Sequence, residues 1–376
     1  MKAYSAPKPE MTLAPTEPIQ LQTLSLPSRD SESWRKVALA GLDVARYAAT
    51  QSSSIKILEN SEAEIEEFQG PLPSNQAKII TTTPEDLFES LCATSSGRSL
   101  HISTKKKCMV RIRHTRGEGS LIHNVLAEAS EGAELTLIEE FDGAESSDLT
   151  FWNSLTTLIC RPGSIVRYLS IRRYVGNEWN FHRLRTNQYR DSNVHASLVH
   201  NGGHIGKTFV HASILAPGAS FRGVGITTLA GREFLDVEMV AEHRASDTTS
   251  SLHYKTVLKN RAHSVFNGNL AIPPGTARVQ SHQINNNILL DKSARAESQP
   301  RLVIQADDVS AEHGATVGEI DPDALFMLMS RGIPEAESRQ LLMTGFLTQI
   351  AEELPLSEEE KGQIIGDSLR RLYELP

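Results

Sequence analysis

The sequence predicts a mainly β chain, a β-helix core flanked by N-terminal and C-terminal helical regions. Two observations carry the core. From about residue 120 to 318, strand-like segments succeed one another without a convincing helix: ELTLIEEF, SIVRYLSIRRY, NVHASLVH, KTFVHASIL, SFRGVGITTL, EFLDVEMVAEH, SLHYKTVLKN, ARVQSHQI and RLVIQADDV. All alternate or carry β-branched residues. Small turn-forming residues also precede strand starts, at Gly132-Ala133, Gly163-Ser164, Ser192-Asn193, Gly218-Ala219 and Gly275-Thr276, and the early intervals are 31, 29 and 26 residues. Such quasi-repeats suit coils stacked on one another. A sandwich would place short strands every ~8 to 12 residues in a domain of about 100.

The remaining elements follow in order. Residues 1–30 are rich in proline and lack a hydrophobic segment, so they read as a disordered lead-in and as neither a secretory signal nor a transit peptide. Residues 31–119 form a helical or mixed region. SESWRKVALAGLDVARYAA (31–49) has a serine start signal and apolar spacing near 3.6, and TTPEDLFESLCATS (82–95) has Thr83 as cap with Pro84 at the first helical position. Residues 120–318 are the β-helix core. Residues 319–376 are a C-terminal helical domain. Asp321-Pro322 opens a short helix through LFMLMS and Arg331-Gly332 breaks it. Pro334 then starts a second helix, whose Leu341, Leu342, Gly345, Phe346 and Ile350 share a face. Pro355 stops that helix, and Ser357 with Glu360 has the form of a capping box for a third. These helices read as a docking element, as a cap that seals the last coil, or as both.

Totals narrow the function. The chain has 39% hydrophobic and 22% charged residues and a net charge of -8, which argues against bulk attraction to nucleic acid or anionic membrane. No apolar run approaches the roughly 18 residues that span a bilayer. Cys92, Cys108 and Cys160 show no C-x-x-C spacing, which fits a reducing, cytoplasmic setting and offers no complete metal or cluster site from cysteine alone.

Several stretches suggest chemistry. NGGHIGKT (201–208) resembles a phosphate loop, but its first glycine position is Asn201 and it leads into β-branched FVHASILAPG, so it reads as a glycine-rich turn between strands. Asp236, Glu238 and Glu242 share strand parity and could act as paired carboxylates on a polysaccharide; the apolar opposite parity makes them more simply a solvated face. Seven arginines between Arg161 and Arg190 read as a solvated or subunit-facing surface, since they follow no single parity. His195, His200, His204 and His211 cluster in sequence only, across a glycine turn, a weak metal signal. In VSAEHGATVG (309–318), Val309, Ala311, His313, Ala315 and Val317 point one way. His313 is then either a packed core residue or a ligand, and spacing takes the choice no further.

QADDVSAEHGATVGEIDPDALFMLMSRGI (305–333), the preceding SARAESQPRLVI, the upstream ESWRKVALAGLD and the two stretches PGASFRGVGITTLAG and HRASDTTSSLHYKTVLKNRAHSVFNGNLAIPPGTARVQSHQINNNILL resemble the SufB/SufD family of iron–sulfur cluster assembly proteins. The resemblance covers most of residues 31 to 350, and H-G-A-T, where SufB-like chains more often carry E-x-E-A or E-H-E-A, favours the SufD branch. It implies a right-handed parallel β-helix, pairing with a SufB-type subunit through the β-helix cores, and docking of a SufC-type ATPase on the C-terminal helices, for which Arg331, Gly332, Leu341, Leu342 and Phe346 are the candidate contacts. It further implies a non-catalytic scaffold that binds no nucleotide and whose His313 meets a nascent iron–sulfur cluster, held transiently with SufB at the interface. Neutral imidazole can replace thiolate on iron. The family commonly has cysteine two residues before this histidine, where this chain has Ala311. A SufB-like homodimeric scaffold and a polysaccharide-active β-helix enzyme using Asp236 and Glu238 stand as the alternatives.

Overall fold

The computed structural model describes residues 26–374 apart from 29, 50–52, 78–83, 96, 117–119, 144–148 and 175; the expected lead-in over 1–30 lies almost wholly outside the described residues. The chain winds as a β-solenoid of about seven turns whose strands alternate between two nine-stranded sheets. The first sheet runs β1 (Ser53–Asn60), β4 (Lys107–Arg116), β6 (Glu134–Asp142), β8 (Ile165–Arg173), β10 (Asn193–Asn201), β12 (Ser220–Leu229), β14 (Thr249–Leu258), β16 (Val279–Leu289) and β18 (Val309–Gly318). The second runs β2 (Glu64–Gln69), β3 (Arg98–Thr104), β5 (Leu121–Ala129), β7 (Thr150–Cys160), β9 (Glu178–Gln188), β11 (Ile205–Ile214), β13 (Phe234–His243), β15 (His263–Ile272) and β17 (Arg295–Ile304). β1 and β2 join antiparallel, and every later pairing is parallel. Parallel coiling therefore already begins with β3 and β4, upstream of the boundary expected at residue 120.

Alternate residues of each strand point between the sheets, and the register stacks them in rows. One row is Tyr168, Ala196, Gly223, Leu252, Gln283 and His313; the next is Ser170, Leu198, Gly225, Tyr254, Asn285 and Ala315. Leu137, Leu198, Val210, Met239, Leu252 and Phe266 belong to the large apolar core between the sheets.

Both outer faces are covered, so the solenoid has four layers. Trp34, Leu87, Phe88, Leu91 and Cys92 cover Ile122, Phe151, Trp179 and Phe181 on the second sheet. Met343, Leu347, Ile350 and Leu354 cover Leu169, Ile171, Val224 and Ile226 on the first. A strand with both faces covered reads apolar or mixed without alternation. β7 and β9 are buried at all eleven positions each.

The helices depart from expectation in informative ways. Over 31–49 only a 3-10 turn at Glu32–Trp34 and a short helix α1 (Val44–Ala49) form. Gly41 takes a left-handed φ of 89°, and the chain there is shaped by seating Trp34, Val37 and Leu42 on the sheet. After α2 (Ser74–Ala77), α3 (Leu87–Ser95) starts three residues beyond Pro84, and Thr83 lies outside the described residues. At the C-terminus, α4 (Pro322–Met329) is capped by the Asp321 side chain, which accepts from the Asp323 amide at 2.9 Å, and Gly332 breaks the chain at φ 86°. α5 (Glu335–Ala351) ends four residues short of Pro355. α6 (Glu358–Glu374) opens on the expected box: Ser357 N donates to Glu360 Oε2 at 3.0 Å and Glu360 N to Ser357 Oγ at 3.3 Å.

α5 and α6 lie along the flank formed by β10, β12 and β14, and so do not seal the last coil. They are held there by the Arg222–Glu353 ion pair, by Lys255 Nζ donating to the Phe346 carbonyl at 2.7 Å, and by Arg371 donating to the Tyr174 carbonyl at 3.0 Å.

Candidate functional site at the open end of the solenoid

β17 and β18 each pair on one side only among the described residues, so the last coil presents two free parallel edges. The interior changes character as it nears this end. On β16 the inward positions are Ser281, Gln283, Asn285 and Asn287, all buried. Asn285 Nδ2 donates to the Tyr254 carbonyl at 3.1 Å, and Asn287 Nδ2 to Asn285 Oδ1 at 2.7 Å and to the Thr316 carbonyl at 3.0 Å. The Gln283 amide finds no partner among the described residues.

One coil further, Ala311, His313, Ala315 and Val317 continue the same rows. Among the described residues no coil follows them, so His313 is exposed and the packed-core reading fails. Shared parity does hold, and Ala311 stands on the histidine's face. Val303, Ile304 and Val317 are exposed apolar residues of the same two strands. The end thus offers one free imidazole, a polar floor and two unpaired, partly apolar edges. It offers no sulfur. Cys92, Cys108 and Cys160 are free and buried, and burial pushes all three thiols up, so none supplies a thiolate.

The docking candidates divide. Arg331 and Gly332 are exposed in the turn between α4 and α5, and Leu341 is 45% exposed on α5. Leu342 and Phe346 are half-buried against the flank, Phe346 beneath Lys255 with Nζ 4.3 Å from its ring centre. The expected shared face is therefore split, because Met343, Leu347 and Ile350 take the inward positions. Burial lowers Lys255 to about 8. Sequence reasoning missed Phe326, 71% exposed on α4, and its neighbour Met327, 53% exposed. Their signal was the run LFMLM, apolar at every position in a helix too short to bury more than one side.

The other candidates disperse. Gly202-Gly203 form the turn between β10 and β11, as expected, and Lys207 is buried within β11, unavailable to phosphate. Its Nζ lies 3.0 Å from Asp236 and 3.2 Å from Glu238, with Asn267 donating to the other Asp236 oxygen at 3.0 Å. Asp236 is thus buried beneath the N-terminal layer, a correction to the solvated-face reading, and its carboxylate is fully engaged. Arg183 pairs with Glu85 and Asp86, and Arg185 with Glu89, so these arginines clamp the α3 segment to β9 and do not form a solvated surface. Arg172 is buried between the sheets. His200 faces the interior, His195 approaches Glu353 just beyond α5, His211 meets Glu242 of β13 within the second sheet, and His204 packs on Trp179; the four share no site.

Residues 112–346 match the SUF system FeS cluster assembly, SufBD core domain. The iron-sulfur cluster assembly protein SufD of Bacillus subtilis (strain 168) is 28% identical over 260 residues, 67% of this chain and 58% of the relative. A SufBD family protein of Synechocystis is 26% identical over 242 residues, 62% of this chain and 53% of the relative. The SufD protein of Escherichia coli (strain K12) is 24% identical over 396 residues, 94% of this chain and 91% of the relative. The match thus spans little more than half the length of the first two relatives and nearly all of the third. With the matched core covering the coils that carry the open end, the chain belongs to the SufBD family of iron–sulfur cluster assembly proteins.

Proposed function

We propose that the chain is a non-catalytic, cytoplasmic scaffold subunit, SufD-like, that pairs its last coil with a SufB-type subunit and docks a SufC-type ATPase on α4 and α5. The observation that carries this reading is the uncapped last coil with His313 exposed at its mouth. An unpaired parallel edge is a template for another strand, and proteins normally cover it. A second solenoid of the same kind, bringing its own edge strands, would continue both sheets. The nascent iron–sulfur cluster is then cargo, built between His313 and ligands that the partner contributes, since this chain has no accessible thiol.

Coupling to the ATPase has a short path. Glu319, Ile320 and Asp321 alone join β18, which carries His313, to α4, which carries Phe326 and Met327. Nucleotide-driven movement of a partner seated on α4 and on the Arg331–Leu341 stretch would reach the edge strand through three residues. Deleting residues 334–376 is a poor test, because it would uncover Leu169, Ile171, Val224 and Ile226. Charge substitution at exposed positions keeps the fold: Phe326→Asp with Leu341→Asp should lose the ATPase partner while retaining the SufB-type subunit. Normal ATP turnover and normal cluster yield in a complex carrying both substitutions would overturn the docking assignment.

A further inference from the structure

Three interior strands converge on a polar cluster far from the open end. His114 follows Val110 and Ile112 in the inward row of β4, His123 follows Leu121 in that of β5, and Glu139 lies inward on β6. All three are fully buried. His114 Nε2 stands 2.9 Å from Glu139 Oε1, and His123 Nε2 is 3.6 Å from the same oxygen. The three donor atoms lie within 4.8 Å of one another. The two imidazole rings stack with centres 4.1 Å apart.

Glu139 is held by its other oxygen, which accepts from Thr156 Oγ1 at 2.7 Å and from Tyr168 OH at 2.8 Å. That leaves Oε1 aimed at the imidazoles. The nearby Arg172 directs its donors to Ser154, Ser170 and Tyr174, and none to Glu139. Neither nitrogen of His123 has a hydrogen-bond partner among the described residues, nor does Nδ1 of His114. A separation of 3.6 Å is too long for a hydrogen bond, and an unpaired buried polar atom is costly.

We propose that His114, His123 and Glu139 hold a structural divalent transition ion of the Zn2+ class inside the solenoid. Two imidazoles and a carboxylate are a known donor set for such ions. An ion bound at about 2.0–2.1 Å in a tetrahedron spreads its ligands roughly 3.3 Å apart, between the 2.9 and 3.6 Å that separate the two imidazole nitrogens from Glu139 Oε1. Thr156 and Tyr168 then act as the outer hydrogen bonds that orient the carboxylate. A water would complete the fourth position. Because β4 and β6 belong to one sheet and β5 to the other, the ion would tie the two sheets together at the coil where parallel winding begins. This site is independent of His313 and of the assembly role.

The test uses the full chain, purified without a metal-affinity tag. Elemental analysis should find about one equivalent of zinc after dialysis. Chain refolded from chelator-treated denaturant should take up one equivalent of Co2+ with ligand-field bands of nitrogen and oxygen donors and no thiolate charge transfer, and zinc added during refolding should raise the thermal midpoint by several degrees, saturating at one equivalent. His123→Asn and Glu139→Gln should lose that equivalent, whereas His313→Ala should keep it. If the variants do not fold, the refolding comparison on the unaltered chain decides. Folded unaltered chain that contains under a tenth of an equivalent, takes up neither Zn2+ nor Co2+ on refolding and shows no midpoint shift would overturn the proposal, as would full metal retention in folded His123→Asn.

Discussion

His313 and Gln283 occupy the same interior row one coil apart, yet Gln283 is 1% exposed and His313 is open to solvent. Among the described residues no further coil stacks on the histidine. Removing an exposed side chain with no packing role changes stability by about 0.5 kcal/mol or less. His313→Ala should therefore leave the denaturation midpoint of the isolated chain in place while abolishing most of the cluster yield of the assembled complex. A loss of stability with unchanged yield would assign the histidine a structural role instead.

Two leucines on α5 should separate docking from folding. Leu347 is fully buried against the flank, and Leu347→Ala should cost about 2–5 kcal/mol, read as a lower urea midpoint. Leu341→Ala should move that midpoint hardly at all and weaken retention of the ATPase partner on a tagged complex. Equal effects of the two on stability would show that α5 is seated differently.

Gly225 tests the interior rows. A β-carbon there would stand 2.1 Å from the Tyr254 ring, which is fixed by a 2.8 Å hydrogen bond between its hydroxyl and Thr227 and by stacking on Phe266 at 5.1 Å. Overpacking of this kind costs about 1–3 kcal/mol or more. Gly225→Val should lower the melting temperature by several degrees, and Gly225→Val with Tyr254→Ala should lose less than the sum of the two single losses, as recovery of the overpacking strain. No recovery would place the strain elsewhere.

Acid should weaken the fold through its buried histidines. Burial lowers His243 to about 4, and its two nitrogens meet Thr248 and Ser250, each at 2.8 Å. Its folded pKa lies below the unfolded value near 6.5, so the unfolded chain takes up the proton first. Stability is full above pH 6.5 and falls as pH drops from 6.5 towards 4, by about 3 kcal/mol at most from this residue. Urea midpoints at pH 7, 5.5 and 4.5 should decline, and His243→Asn should flatten the decline by up to one proton. An unchanged slope in the variant would show that other groups set it.

What could be read beforehand followed burial. Strands with one face on the core and the other partly wet, such as β13 and β16, announce themselves by alternation and turn residues. β7 (TFWNSLTTLIC) and β9 (EWNFHRLRTNQ) do not, because the N-terminal layer covers their second face and Arg183 and Arg185 are buried against Glu85, Asp86 and Glu89. Charge there looked like surface and is an internal clamp. Likewise Asp236 was legible as a carboxylate of fixed parity, but its partner Lys207 comes from β11, 29 residues away, through a register that local pattern does not reveal. The H-G-A-T setting singles out His313 as a candidate. Its exposure was not legible, since that depends on where the coiling stops. The His114–His123–Glu139 cluster had a faint signal, a histidine closing the apolar row Cys108, Val110, Ile112, but only the stacking of β4, β5 and β6 brings its members together.

The most direct measurement is recovery of the tagged full chain from its own cells, with every co-purifying protein identified by mass. The account predicts a SufB-type subunit and a SufC-type ATPase in stable association, with the SufB-type subunit lost on Val317→Asp at the free edge and the ATPase lost on Phe326→Asp. A chain recovered alone and monomeric, or one whose partners are indifferent to both substitutions, would contradict it.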